Sequence, residues 1–112
     1  MSTTKFAKTP EPPYYAVIFS SQLADSDVGY SWMAERMIEL ASRQPGFLGE
    51  ESVRGSDGFG VTVSYWATME AITDWKANIE HLVAHDFGKR LWYHHYELRI
   101  AKVESAYGKE LA

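Results

Sequence analysis

GFLGEESVRGSDGFGVTVSYWATMEAITDW, residues 46–75, holds two strands, the turn between them and the start of a helix in one unbroken run. Phe47 to Arg54 reads as a strand, and Gly55-Ser56-Asp57-Gly58 as its turn, with Asp-Gly the strongest short signal for a hairpin. Gly60 to Trp66 (GVTVSYW) is the returning strand, rich in β-branched and aromatic residues, with Val61, Val63 and Tyr65 on one face. Thr68 is then an N-cap candidate, and Ile72, Trp75 and Ile79 mark a helical stripe. Helical character runs from Thr68 to about Trp92, with breaks expected near Ile79 to His81 and at Gly88.

On the N-terminal side of this run, Tyr14 to Ser20 (YYAVIFS) reads as a strand with two apolar faces, Tyr15, Val17 and Phe19 on one and Tyr14, Ala16 and Ile18 on the other. A strand of that kind is covered on both sides. Asp25-Ser26-Asp27 supplies caps for a first helix from about Val28 to Ser42, with Tyr30, Met33, Ala34, Met37 and Ala41 on one face and Pro45-Gly46 as its stop. Trp32 lies on the back of that helix. On the C-terminal side, Tyr96 to Glu104 (YELRIAKVE) is a last strand, sending Tyr96, Leu98 and Ile100 one way and Glu97, Arg99 and Ala101 the other.

Strand, helix, strand, strand, helix, strand is the split βαβ pattern, so the expected fold class is α+β, a ferredoxin-like βαββαβ with an antiparallel sheet. Residues 14–105 form one domain, flanked by a flexible tail at 1–13, which ends in Pro12-Pro13, and a short tail at 106–112. Both helices fall on one side of the sheet, which leaves the other side bare although the first strand is apolar there too. The economical cover is a second copy of the same sheet, so a homodimer is expected.

Composition narrows the function. The chain of 112 residues has no Cys, which excludes disulfides, thiolate catalysis and thiolate metal sites. Its net charge of −4 without a basic stripe makes nucleic acid an unexpected partner. The start has no apolar signal region and no run reaches the length of a membrane span, so a cytoplasmic protein with no membrane partner is expected. No Gly-rich phosphate loop, GxSxG or HExxH occurs. Four Trp and seven Tyr suit a ligand pocket or an oligomer interface.

The runs RQPGFLGEESVR (43–54), GVTVSYWATMEAITDWKANIEHLVAH (60–85) and YELRIAKVE (96–104) resemble the antibiotic-biosynthesis-monooxygenase family, over about Tyr14 to Glu104. That resemblance implies a dimeric α+β barrel. It implies a small oxygenase that works on an aromatic or quinol-like molecule without a cofactor, or alternatively a haem-binding or haem-degrading protein. The haem degraders of that superfamily carry a Trp in a TDW step and a His ten residues later, here Trp75 and His85. Their third functional residue is an Asn on the first strand, where this chain reads Phe19-Ser20-Ser21, a departure that puts haem degradation in doubt.

The candidate catalytic residues are therefore His85 as a base near neutral pH, Trp75 as a pocket wall and Ser20 as a polar contact in place of the Asn. Trp66, His81 and Trp92 are the substrate-binding candidates, flat rings and a polar group that suit a flat ligand. His81 and His85 share a helix face at i, i+4, but no carboxylate is spaced to complete a metal motif, so no metal is expected. His94 and His95 are adjacent and point apart. Glu50, Ser52 and Arg54 form a polar face on the second strand. A non-catalytic dimeric module that binds a small molecule is the remaining alternative.

Overall fold

The computed structural model describes residues 5–23, 37–82 and 93–111. Four strands, β1 (Tyr14–Leu23), β2 (Phe47–Arg54), β3 (Phe59–Trp66) and β4 (Tyr93–Val103), form one sheet in the order β2-β3-β1-β4, with every neighbouring pair antiparallel. The helical residues 37–42 (α1) lie between β1 and β2, and α2 (Met69–Leu82) lies between β3 and β4. This is the ferredoxin-like arrangement that the order of elements predicts.

β2 has the bounds read from the sequence, and β3 begins one residue earlier, at Phe59. The turn closes as its Asp-Gly step requires. Gly55 N–H donates to the Phe59 carbonyl at 2.8 Å, and the Asp57 carboxylate accepts the Phe59 N–H at 3.0 Å. Two boundaries differ more. β1 runs on through the polar Ser21 and Gln22 to Leu23, and β4 starts at Tyr93 rather than Tyr96. Both extensions come from pairing: Ser21, Gln22 and Leu23 face Tyr96, His95 and Tyr93, with an irregularity between Gln22 and Leu23. A ladder between two long neighbours overrides the polarity of its last residues.

Strand alternation sorts the side chains by face. Tyr15, Val17, Phe19 and Ser21 face the helices, beside Trp66, Ser64, Thr62 and Gly60 on β3 and beside Lys102, Ile100, Leu98 and Tyr96 on β4. The core forms there, from Val17, Ala41, Trp66, Ala71 and Ile72, with Tyr15, Phe47 and Trp75 packed against it. α2 begins at Met69 because the Thr68 hydroxyl caps it, accepting the Ala71 N–H at 3.0 Å. Its first turns lie close on the sheet. A Cβ on Gly46, whose φ is +88°, would stand 2.7 Å from the Ala71 Cβ, so only glycine fits.

The other face carries Tyr14, Ala16, Ile18 and Ser20 with Tyr65, Val63 and Val61. One end of it is covered by the stretch before β1. Ala7 N–H donates to Glu51 Oε2 at 3.0 Å, and the Thr9 hydroxyl donates to the Tyr14 hydroxyl at 3.0 Å. At the other end Val53 is 72 % exposed and Phe59 is half exposed. The first helix expected from Val28 falls outside the described residues as far as 36, as does the helical stretch expected beyond Leu82 as far as Trp92. Among the described residues no helix is long and apolar enough to cross a membrane.

Candidate functional site on the helix side of the sheet

Trp66 and Trp75 come together. Trp66 ends β3 on the helix-side face, and Trp75 sits one helical turn beyond Ile72 on the face of α2 that meets the sheet. Their rings stack with centroids 6.1 Å apart and planes 27° apart. Trp66 is 0 % exposed, its indole N–H donates to the Ser64 hydroxyl at 2.9 Å, and Phe47 meets it edge-on at 5.3 Å. A buried indole with its one donor satisfied is a stable core element. Trp75 is half-buried, so it is the ring of the pair that has surface to offer a ligand.

The same sheet face continues into an apolar shelf. Phe19 and Tyr96 are in ring contact at 5.6 Å, and Leu98 and Ile100 beside them are each 44 % exposed. Apolar side chains left this open on the inner side of a sheet are surface available to an apolar ligand.

Polar groups border the shelf. Ser21 is 1 % exposed. Arg54 reaches across from β2 and donates to the Ser21 hydroxyl at 2.8 Å, to the Ser21 carbonyl at 3.3 Å and to the Gly58 carbonyl. Gly60 permits that crossing, since a Cβ there would stand 2.8 Å from Arg54 Cζ. Glu50, opposite Ser64, lies on this face too. Its Oε2 is buried and has no hydrogen-bond partner, alone in this among the described side chains. Burial, and then the neighbouring charge of Glu51, raises the Glu50 pKa above the usual carboxylate value.

The sequence candidates divide accordingly. Ser20 does not share the face of Trp75. It pairs with Val61 and Glu97 on the opposite face, and Ser21 holds the helix-side position. The polar face of Glu50 and Arg54 belongs to the helix side and not to the open side of the sheet. His95 lies with Glu97 on the open face, their side chains 2.5 Å apart and both exposed; the hydrogen bond from His95 is the main reason the Glu97 carboxyl stays below its usual value. The His85 and Trp92 calls lie outside the described residues, and of His81 only the backbone, within α2, is described. No group of His, Asp and Glu able to hold a metal ion occurs among the described residues. Glu50, Ser21 and the β4 shelf were the parts that sequence reasoning missed. The parity of β1 and β2 contained the signal, once the face carrying the helices is known.

Comparison with known proteins agrees with this fold. Residues 32–86 match the antibiotic biosynthesis monooxygenase family. The uncharacterized protein YqjZ of Bacillus subtilis is 57 % identical over 98 residues, which cover 88 % of this chain and 86 % of YqjZ. The fold is shared with a variant of SnoaB from Streptomyces nogalater, a cofactor-independent oxygenase, at a TM-score of 0.69 and 15 % identity over 86 % of this chain and 98 % of SnoaB. It is shared also with a variant of MhuD, seen with manganese protoporphyrin IX in its active site, at a TM-score of 0.62 and 20 % identity over 85 % of this chain and 99 % of MhuD. The chain belongs to the antibiotic biosynthesis monooxygenase family.

Proposed function

We propose that this protein is a monooxygenase acting on a flat, electron-rich small molecule, a phenol or quinol, without a bound cofactor. The observation that carries the reading is the stacked Trp66–Trp75 pair on the same sheet face as the open shelf of Tyr96, Leu98 and Ile100. A half-buried aromatic ring and an open apolar shelf on one sheet face offer the kind of surface that suits a planar ring. The oxygenase SnoaB, of like fold, supports the reaction class.

In this reading Trp75 is the wall that touches the substrate and Trp66 is a positioning residue that fixes it from below. Ser21, buried and held by Arg54, fixes that guanidinium at the border of the site, on the face that Ser20 does not share. His85 is the proposed base, and His81 and Trp92 are proposed to line the mouth. Removal of a hydroxyl proton leaves an electron-rich anion that reacts with oxygen directly. The substrate supplies the electrons: one oxygen atom of dioxygen is placed on a ring carbon as a carbonyl, and the other leaves as water with the hydrogen of that carbon and the hydroxyl hydrogen.

Haem needs an axial donor. In this chain that donor would fall to His85, and no step is routed through haem. A second copy of the chain is the proposed cover for the open face around Val53 and Phe59.

The test is oxygen consumption by chelator-treated, flavin-free protein across a panel of phenols and quinols. Turnover that falls by about 10²–10⁴ in His85→Ala is expected for a lost base. An inert protein across the panel, or a rate indifferent to His85→Ala and Trp75→Ala, overturns the reading. A Soret shift on adding haemin that disappears in His85→Ala moves the assignment to haem.

A further inference from the structure

Glu50 is the described residue whose chemistry the fold does not account for. It occupies the middle of β2, directly opposite Ser64, whose hydroxyl receives the Trp66 indole N–H. Val17 follows in the same row across the sheet, and Trp66 stands in the next row towards the strand end. Glu50 is thus set one residue pair from Trp66, on the sheet face that carries the core. Its Oε2 is cut off from solvent and unpartnered. Leaving a carboxylate oxygen buried without a donor costs stability, and an apolar residue of the same shape would avoid that cost.

The adjacent carboxylate shows the contrast. Glu51 has both oxygens engaged, Oε1 by the Tyr65 hydroxyl at 2.7 Å and Oε2 by the Ala7 N–H at 3.0 Å. Of two consecutive glutamates, the one under the N-terminal stretch is fully used by the protein, and the one on the face of the tryptophan pair is left with an acceptor to spare. An unsatisfied acceptor on the sheet face of the tryptophan pair gains its partner when a bound ring brings a donor and the half-buried Glu50 side chain turns to meet it.

We propose that Glu50 is the specificity-determining residue of the site, its carboxylate accepting the O–H of the quinol hydroxyl that His85 does not deprotonate, on the ring that stacks on Trp75. This rests on the aromatic-substrate reading above and deepens it. The site is then selective for rings that carry a hydroxyl donor, because a ring without one leaves Glu50 unpaired. The burial that raises the Glu50 pKa is consistent with such a role, since a weakly solvated carboxylate forms a stronger charge-assisted bond once a donor reaches it.

The experiment is calorimetric titration of the full chain with 1-naphthol and with 1-methoxynaphthalene, which share a ring system and differ in the donor. Wild-type protein is expected to prefer 1-naphthol by about tenfold or more, the size of one hydrogen bond to a charged group. Glu50→Leu is expected to bind both compounds with equal affinity, and Glu50→Gln, which keeps an acceptor, to retain part of the preference. Melting temperatures of both variants at neutral pH are expected at or above that of wild type. Equal affinities in wild type, or an undiminished preference in Glu50→Leu or in Glu50→Gln and Glu50→Leu alike, overturn the role of Glu50 while leaving the stacking site in place. If wild type binds neither compound, the aromatic site itself falls, and the proposal with it. Should Glu50→Leu fail to fold, Glu50→Gln alone decides, since an unchanged preference at full strength there excludes a charge-assisted bond.

Discussion

Trp66 and Trp75 stack at 6.1 Å with only one of the two accessible, so the pair separates a supporting ring from a contacting ring. Replacing them has different consequences. Trp66→Ala empties a fully buried site and is expected to cost about 3–5 kcal/mol. Trp75→Ala removes a half-buried ring and is expected to cost about 1–2 kcal/mol while abolishing aromatic binding. Urea unfolding monitored by far-UV circular dichroism, beside ligand titration, measures both. Equal destabilisation by the two would mean that Trp75 is as much a core residue as Trp66.

Stability should respond to pH through Glu50 in the direction opposite to that of a salt-bridged carboxylate. Its folded pKa lies above the ordinary 4.5, chiefly because of burial, so the folded state binds that proton more tightly than the unfolded chain does. The resulting penalty is absent below the unfolded pKa and grows as pH rises through the folded one. Glu50→Gln is therefore expected to be more stable than wild type at pH 7, with the advantage fading towards pH 4. Thermal melts of both proteins across that interval test it, and an advantage that grows on acidification contradicts it.

Tyr65 titrates late. Burial first, and then its hydrogen bond to Glu51, push the phenol up to about 12. The neutral form is the one the fold holds, so this contribution is complete below pH 10 and disappears as pH rises towards 12. Tyr65→Phe is expected to cost about 1 kcal/mol at pH 7. It should also remove the last-ionising tyrosine from an ultraviolet titration near 295 nm. Survival of that late step in Tyr65→Phe would assign it to another ring.

Gly46→Ala is expected to destabilise by about 1–3 kcal/mol, because the new methyl meets the Ala71 Cβ at 2.7 Å and the backbone there is left-handed at φ +88°. A double variant with Ala71→Gly relieves the contact but not the backbone strain, and should recover only part of the loss. Full recovery would place the whole effect in the contact.

Much of the fold was legible because local chemistry and tertiary pairing agree. The hairpin of β2 and β3 announces itself through Asp57-Gly58, and α2 through Thr68 followed by Ile72 and Trp75. The ends of β1 and β4 were less legible because Ser21, Gln22 and His95 become strand only by pairing with one another's strands. At the site, Trp75 could be read from its place in a familiar run, and its partner Trp66 from strand parity. Choosing between Ser20 and Ser21 could not be done from β1, since both its faces are apolar and parity alone does not say which one meets the helices. Glu50 looked like one member of a polar strand face; that it lies inward while Glu51 lies outward follows from the sheet order.

The bond between Ala7 and Glu51 joins the first described turn of the chain to the middle of β2, and Thr9 adds a second tie at Tyr14. At the other end, residues 104–111 follow β4 with no regular structure, and Tyr107 there is fully exposed. The two ends are thus unequal as handles. A fusion partner or surface linker joined at the start pulls on the Glu51–Tyr65 network and on the edge of the sheet that carries it. One joined at the end of the chain leaves both sheet faces as they are, which makes the C-terminus the place to attach a dye or an immobilisation tag.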